Sequence, residues 1–272
     1  MLVMAALAWP AQAEGQSWRE ATLSRQLEGS GPVRARVSYG AGTFGLRATS
    51  EPLLYRMSLR YDEDAFEPVA DYTGGRLELG LEGTSRSFRF GRGSSGGSMD
   101  LELARGVPME LDLNFGAVKA DVDLGGLALT SLELSTGASE SRIDVSEPNS
   151  STLRRATFEI GAADFALRRL GNLGAERIDV KAGVGHVSLS LDGAWRTDAR
   201  LSIEMGLGAL ELRVPEGLGI MVRKDSFLTS FDPEGLVKRG DAYYSLDWED
   251  ADRKVTIDLN AAFGSVQVIW IR

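Results

Sequence analysis

The residues that could do chemistry in this chain are few, and their spacing is uninformative. His186 is the only histidine. It sits in Gly185-His186-Val187 on the outward phase of an alternating segment. A histidine base needs an orienting acid and a nucleophile beside it. The local sequence offers neither, so His186 reads as an exposed, non-functional side chain. Asp62-Glu63-Asp64 and Glu249-Asp250-Ala251-Asp252 are acidic clusters. Hard cations want several oxygens at defined spacing, usually around a glycine turn. Neither cluster has that form, and both read as solvated loop charge. Two carboxylates flanking a glycosidic bond could cleave polysaccharide. Asp and Glu recur at so many solvent-facing positions that any such pair is easily found and carries little weight. Gly40-Ala41-Gly42 and Gly206-Leu207-Gly208 superficially resemble nucleotide loops. Phosphate cradles open helices, whereas both flanks here alternate with period two. No catalytic, cofactor-binding or metal-binding residue is therefore assigned.

Composition narrows the classes further. The 272 residues suffice for one large domain or two small ones, and the 43% apolar content is that of a globular chain. The 32 glycines have no Gly-X-Y period, so they read as corners and not as collagen. A net charge of −9 disfavours nucleic acid, anionic membrane surfaces and acidic substrates. The absence of cysteine excludes disulfides, thiolate metal sites and thiol nucleophiles.

The beginning of the chain suggests export. Leu2–Trp9 is a short apolar core, Ala11-Gln12-Ala13 has the form of a cleavage site, and Glu14 begins polar sequence. No Lys or Arg precedes Arg19; a start further upstream would supply the missing positive charge. The expectation is a signal peptide over 1–13 and a periplasmic or extracellular mature chain with no membrane-spanning segment.

The elements that must position any site come from a repeated strand-corner-strand phrase, clearest at Arg200–Val214. Seven copies align. Their corners fall at Gly40, Gly116, Gly137, Ala163, Gly183, Gly206 and Ala262. From Gly116 to Gly206 the corners follow at the near-regular step of a solenoid. Between Gly206 and Ala262 lies roughly one coil's worth of extra sequence. Alternation within each phrase places one face inside and one in water. The links, such as Gly125-Gly126-Leu127, are too short for crossover helices. The expected fold is all-β: a single-stranded β-helix-like solenoid with coils of roughly 20–26 residues.

The N-terminal third is less regular. Met57–Tyr61 and Arg76–Leu81 read as strands, and Ser17–Glu28 is ambiguous between helix and strand. Arg92–Ser98 is a Gly/Ser linker. The expected organisation is an N-terminal β part over 14–98, then the solenoid over 99–272 with an insert at 215–254. Solenoid ends need caps, and the aromatic-rich insert with Phe227, Phe231, Tyr243, Tyr244 and Trp248 suits that role. In the last strand both phases are apolar at Ile269, Trp270 and Ile271. These three residues form the candidate partner-binding edge, by strand addition or self-association through a solenoid end.

The chain resembles the bacterial toast-rack β-solenoid proteins, among them the C-terminal domain of the LiaF-like cell-wall-active-antibiotic response proteins. The likeness rests on Val37–Leu46, Ile203–Pro215, Tyr243-Tyr244-Ser245, Val255–Asn260 and Gly264–Val268. It implies a solenoid fold and no catalytic residues. The antibiotic-response relatives carry membrane helices and modulate a histidine kinase; this chain has instead a cleavable-looking signal.

Three functions follow as expectations. The first is a non-catalytic envelope protein that binds or scaffolds a protein or glycan partner, without a cofactor. The second is an accessory regulator of an envelope-stress response, implied by the resemblance. The third is a polysaccharide-processing enzyme.

Overall fold

The computed structural model describes residues 17–84, 96–226 and 228–272. The expected signal peptide, positions 92–95 of the Gly/Ser stretch and Phe227 lie outside them. Strand β1 (Trp18–Gln26) precedes the first long strand, β2 (Val33–Thr49). Four short strands follow: β3 (Leu53–Asp62), β4 (Phe66–Thr73), β5 (Arg76–Gly83) and β6 (Ser98–Ala104). Then come five long strands: β7 (Pro108–Asp123), β8 (Ala128–Asp144), β9 (Leu153–Arg168), β10 (Ala175–Ser190) and β11 (Ala199–Pro215). Four short strands, β12 (Gly219–Ser226), β13 (Thr229–Asp232), β14 (Leu236–Arg239) and β15 (Ala242–Ser245), lead to β16 (Lys254–Ile271).

The seven long strands stack in parallel in the order β2-β7-β8-β9-β10-β11-β16. Each must fold back on itself. A straight β7 of 16 residues would run ~50 Å. Yet Pro108 at its start pairs with Ala128, only a short link beyond Asp123 at its end. Such a link reaches at most ~18 Å. The strand closes this distance only by bending at its middle, so each long strand is one coil with two arms. Tight links close the coils; the one after β9 is a 3-10 turn at Leu170–Leu173.

Each arm turns one face inward, and the buried phase switches at the bend: Leu111 and Leu113 before it in β7, Val118, Ala120 and Val122 after it. Val37, Leu113, Leu134, Phe158, Val180, Ile203 and Leu259 stand one above another through the stack, all at most 2% exposed. Full burial of each such side chain stabilises by about 1.5–3 kcal/mol. One continuous apolar cluster runs from Val33 to Val268.

The register corrects one reading of the repeat. Phe158 pairs with Leu134 and Val180, so the fourth corner is Gly161, two positions before Ala163. A Cβ on Gly161 would approach the Gly137 carbonyl, and one on Gly183 the Gly161 carbonyl. With Gly161 as the corner, coil length between Gly116 and Gly206 varies less than the sequence pattern suggests. Two longer excursions interrupt the stack, one between Val37 and Leu113 and one between Ile203 and Leu259.

The first excursion builds one end of the stack. The first arm of β2 pairs with β5, which carries β4; the second arm pairs with β6, then β3 and β1. The ambiguous segment Ser17–Glu28 thus resolves as strand over Trp18–Gln26. The second excursion builds the other end. β12 and β13 pair in parallel with the two arms of β16, and the β14–β15 hairpin extends β12. The chain's last strand therefore slots between β11 and β12 and does not terminate the sheet.

Charge pairs tie the outer faces coil to coil. Arg36 meets Asp112 at 2.8 Å, Arg155 meets Asp179 at 3.3 Å, and Lys119 meets Glu140 at 3.4 Å. Arg105 holds the Glu147 carboxyl below its ordinary range, first by hydrogen bonding and then by charge. Such exposed pairs contribute little singly.

Candidate binding site along the strand corners

The corners build a long open concavity. In each phrase except the last, a glycine removes the side chain where the strand bends. Two positions earlier stands an outward polar residue: Ser38, Asn114, Ser135, Glu159, Lys181, Glu204, and Asn260 before Ala262. Parallel stacking aligns these residues at the coil spacing, ~4.8 Å. The result is an open groove of about 990 Å³, floored by Gly40, Gly116, Gly137, Gly161, Gly183 and Gly206 and running across seven coils.

The corner glycines fall into two columns with different physical duties. Those on the groove floor have ordinary backbone angles. The second column, two positions on, contains Gly42, Gly185, Gly208 and Gly264, with φ of 120°, 139°, 145° and 132°. There a Cβ would overlap a main-chain carbonyl: that of Gly97 at Gly42, Ala163 at Gly185, Gly185 at Gly208 and Gly208 at Gly264. Coils two to four carry Val118, Ser139 and Ala163 in the same column, at negative φ.

The groove changes character along its length. In the first three coils its polar residues, Ser38, Asn114 and Ser135, are uncharged. In the next three they are Glu159, Lys181 and Glu204. Lys181 lies 3.5 Å from Glu159. A surface of this kind offers one hydrogen-bonding or charged group per coil to anything laid along the solenoid axis.

The residues singled out from sequence end elsewhere. His186 points outward and is half-buried, with Nδ1 3.4 Å from Asp164 and Nε2 3.5 Å from Glu211. Two acids do therefore flank it, contrary to the local reading. They come from the neighbouring coils on either side, each a full coil away along the chain, so no local motif could show them. Of the acidic clusters, Glu63 pairs with Arg19 at 3.1 Å and Glu249 with Arg239 at 3.0 Å. Among the described residues no cluster of three or more potential ligands could hold a metal ion.

Ile269, Trp270 and Ile271 are all half-buried. They pair with Arg213, Val214 and Pro215 of β11. Trp270 Nε1 donates a 2.8 Å hydrogen bond to the Glu234 carbonyl, and its ring packs against Gly235. The tryptophan thus ties the last strand to the segment between β13 and β14. Sequence reading passed over the groove. The signal that reveals it is the polar-x-Gly spacing at six of the seven corners.

Residues 13–168 match a family model described as the N-terminal domain of toast_rack, DUF2154. The chain belongs to the toast-rack family. The match covers more than half of the sequence and ends with β9, so it takes in the first four coils of this toast-rack protein and their N-terminal cap. Three solved structures are similar to it at low identity. One is from Clostridium sporogenes, assigned by name to cell adhesion: 14% identical, covering 94% of this chain and 100% of that one, with a TM-score of 0.47. Another, from Bacteroides fragilis and named as an adhesin, is 10% identical, covers 93% and 99%, and has a TM-score of 0.40. A Parabacteroides distasonis structure named for lipid binding is 12% identical, covers 93% and 97%, and has a TM-score of 0.32. No curated protein matches the sequence. Among the described residues no helix is long and apolar enough to cross a membrane.

Proposed function

We propose that this toast-rack protein is an exported, non-catalytic envelope protein that binds or scaffolds an elongated partner along its corner groove. The observation that carries the reading is the groove itself: a shallow channel through seven coils with one polar side chain presented at each. A ligand with its own linear repeat, such as a glycan chain or an extended peptide, meets equivalent groups at regular intervals. The parallel stack holds those groups rigidly, so little ordering cost falls on the protein at binding. Export rests on the signal-like segment 1–13. The half-buried edge at Ile269, Trp270 and Ile271 is a second surface for a protein partner.

The two surfaces are separable by mutation. A Cβ at Gly40 meets nothing within 4 Å, and this glycine is not at positive φ, so Gly40→Tyr fills one end of the groove without straining the corner. Trp270→Asp removes the edge together with its tie to Glu234, at the end of the stack away from Gly40. Crosslinking with mass spectrometry on producing cells, with a glycan array on purified protein, supplies the readout. Loss of a bound partner in Gly40→Tyr alone supports the groove. Loss in Trp270→Asp alone moves the site to the edge. Binding unchanged in both overturns the proposal.

A further inference from the structure

The lip beside the groove carries the largest concentration of exposed apolar side chains. Between the two glycine columns each coil places one residue at the apex of the bend. The pairing register aligns Ala41, Ala117, Ala138 and Ala162 in the first four coils. It continues with Val184, Leu207 and Phe263 in the next three. The flanking pairs Ser226↔Ala261 and Thr229↔Gly264 put Leu228 next in line. Val184 is 50% exposed, Leu207 51%, Phe263 46% and Leu228 69%. Six large apolar residues are exposed among those described, and four of them stand in this one column. Leu228 is held at φ 48°, a conformation costly for a branched side chain. The column is graded: alanine through half the stack, large aliphatic or aromatic through the other half.

We propose that this toast-rack protein self-associates as an antiparallel two-fold dimer through its corners. The large apolar column of one copy (coils five to eight) seats on the alanine column and groove floor of the other (coils four to one). This rests on the reading of the corner as a binding surface and names a second copy as occupant. Two features favour it. A two-fold axis between the fourth and fifth coils sets large residues against small ones twice over, whereas a parallel arrangement would set large against large. Three of the four receiving coils present uncharged groove residues, Ser38, Asn114 and Ser135, and the Glu159 of the fourth is already paired with Lys181 at 3.5 Å, so covering this half leaves no charge without its partner. Four half-exposed side chains of these types present on the order of 300–400 Å², and two such columns with their receiving strips come to ~1,200–1,600 Å², the size of a specific dimer interface.

The test uses the absence of native cysteine. Ala117 and Ser265 lie five coils apart in one chain, ~24 Å, but meet across the proposed axis. In the Ala117→Cys, Ser265→Cys double variant, a short bismaleimide should link two chains and not one. Sedimentation equilibrium of the wild-type chain should show a dimer. Leu207→Glu and Ala138→Lys, on opposite halves of the corner, should each weaken it at least tenfold. A mixture of these two variants should regain dimer as the heterodimer, because one contact becomes Glu against Lys and the other is native. Val237→Glu, at an exposed apolar residue off the corner, should leave the dimer intact.

A wild-type chain that stays monomeric overturns the proposal, and so does a dimer indifferent to Leu207→Glu and Ala138→Lys. Monomer that sediments with phosphatidylcholine vesicles through Leu207 also overturns it, in favour of a lipid surface. A monomer whose partner binding is still lost in Gly40→Tyr sinks the dimer and leaves the groove reading standing. A monomer with partner binding unaffected sinks both.

Discussion

Asn149, in the link after β8, should be the most costly polar residue to remove. It is 2% exposed. Its Oδ1 accepts from the Leu129 N–H at 2.8 Å, and its Nδ2 donates to the carbonyls of Leu129 at 2.9 Å and Leu173 at 3.3 Å. These bonds mend a defect. The β7–β8 register slips at Met109/Glu110, so Thr130 is an extra residue and Leu129 sits at a bulge. The amide supplies what the interrupted ladder does not, and it reaches the next coil as well. Its own N–H donates to the Asn172 carbonyl at 2.7 Å; one coil on, Asn172 repeats the device toward Val145 and Ala194. Asn149→Ala leaves three main-chain groups of the fully buried Leu129 and Leu173 without that partner. Each stranded buried group costs about 1–3 kcal/mol; with partial relaxation the sum is about 3–5 kcal/mol, a large share of a domain's stability. Urea unfolding followed by tryptophan fluorescence measures it. Asn149→Asp should lose a comparable amount at neutral pH, since a carboxylate cannot donate to the two carbonyls, and should recover part of it in acid once protonated. Ser146→Ala, which removes an exposed 2.7 Å bond to Asp123, should cost no more than about 0.5 kcal/mol. An Asn149→Ala loss below about 1 kcal/mol would refute the idea that stacked amides hold the turns.

Gly208→Ala should destabilise by about 2–4 kcal/mol, combining a disfavoured positive φ with overlap of the Gly185 carbonyl and Met205; the reverse change in the same column, Ala163→Gly, should cost only about 1 kcal/mol, and thermal melts compare them. The Tyr39 hydroxyl is buried without a partner among the described residues, and its pKa is pushed up to about 12, first by burial and then by the Asp100 charge. The folded state therefore keeps a proton that the unfolded chain releases near pH 10, so this group costs stability as pH rises from about 10 to 12. Tyr39→Phe should remove that part of the alkaline loss and be neutral or stabilising at pH 7, as read by urea midpoints at the two pH values. Thr136 Oγ1 is likewise buried and unpartnered among the described residues, so Thr136→Val should raise stability by about 1 kcal/mol; a fall would mean that the hydroxyl holds a water.

The sequence alone determined the fold class and the coil period. Alternation at Leu111/Leu113, Leu132/Leu134 and Ile178/Val180 fixes which side of each strand is buried, and glycines between alternating runs mark the bends; both are local properties of the chain. The toast-rack likeness was legible for the same reason. Tertiary structure decided everything that depends on which coil lies beside which. Register moved the fourth corner to Gly161, since two small residues two positions apart look alike until a neighbouring strand fixes the pairing. It brought Asp164 and Glu211 to His186 from separate coils. It placed β16 inside the stack, with β12 and β13 beyond it, because the last strand's pairing partners are chosen by complementarity of whole coils and not by chain order. The groove and its apolar lip arise the same way. Each corner contributes one polar residue, one small floor residue and one apex residue, which mean nothing singly. Parallel stacking at a constant spacing turns them into continuous columns, and only the columns have a shape that a partner can recognise.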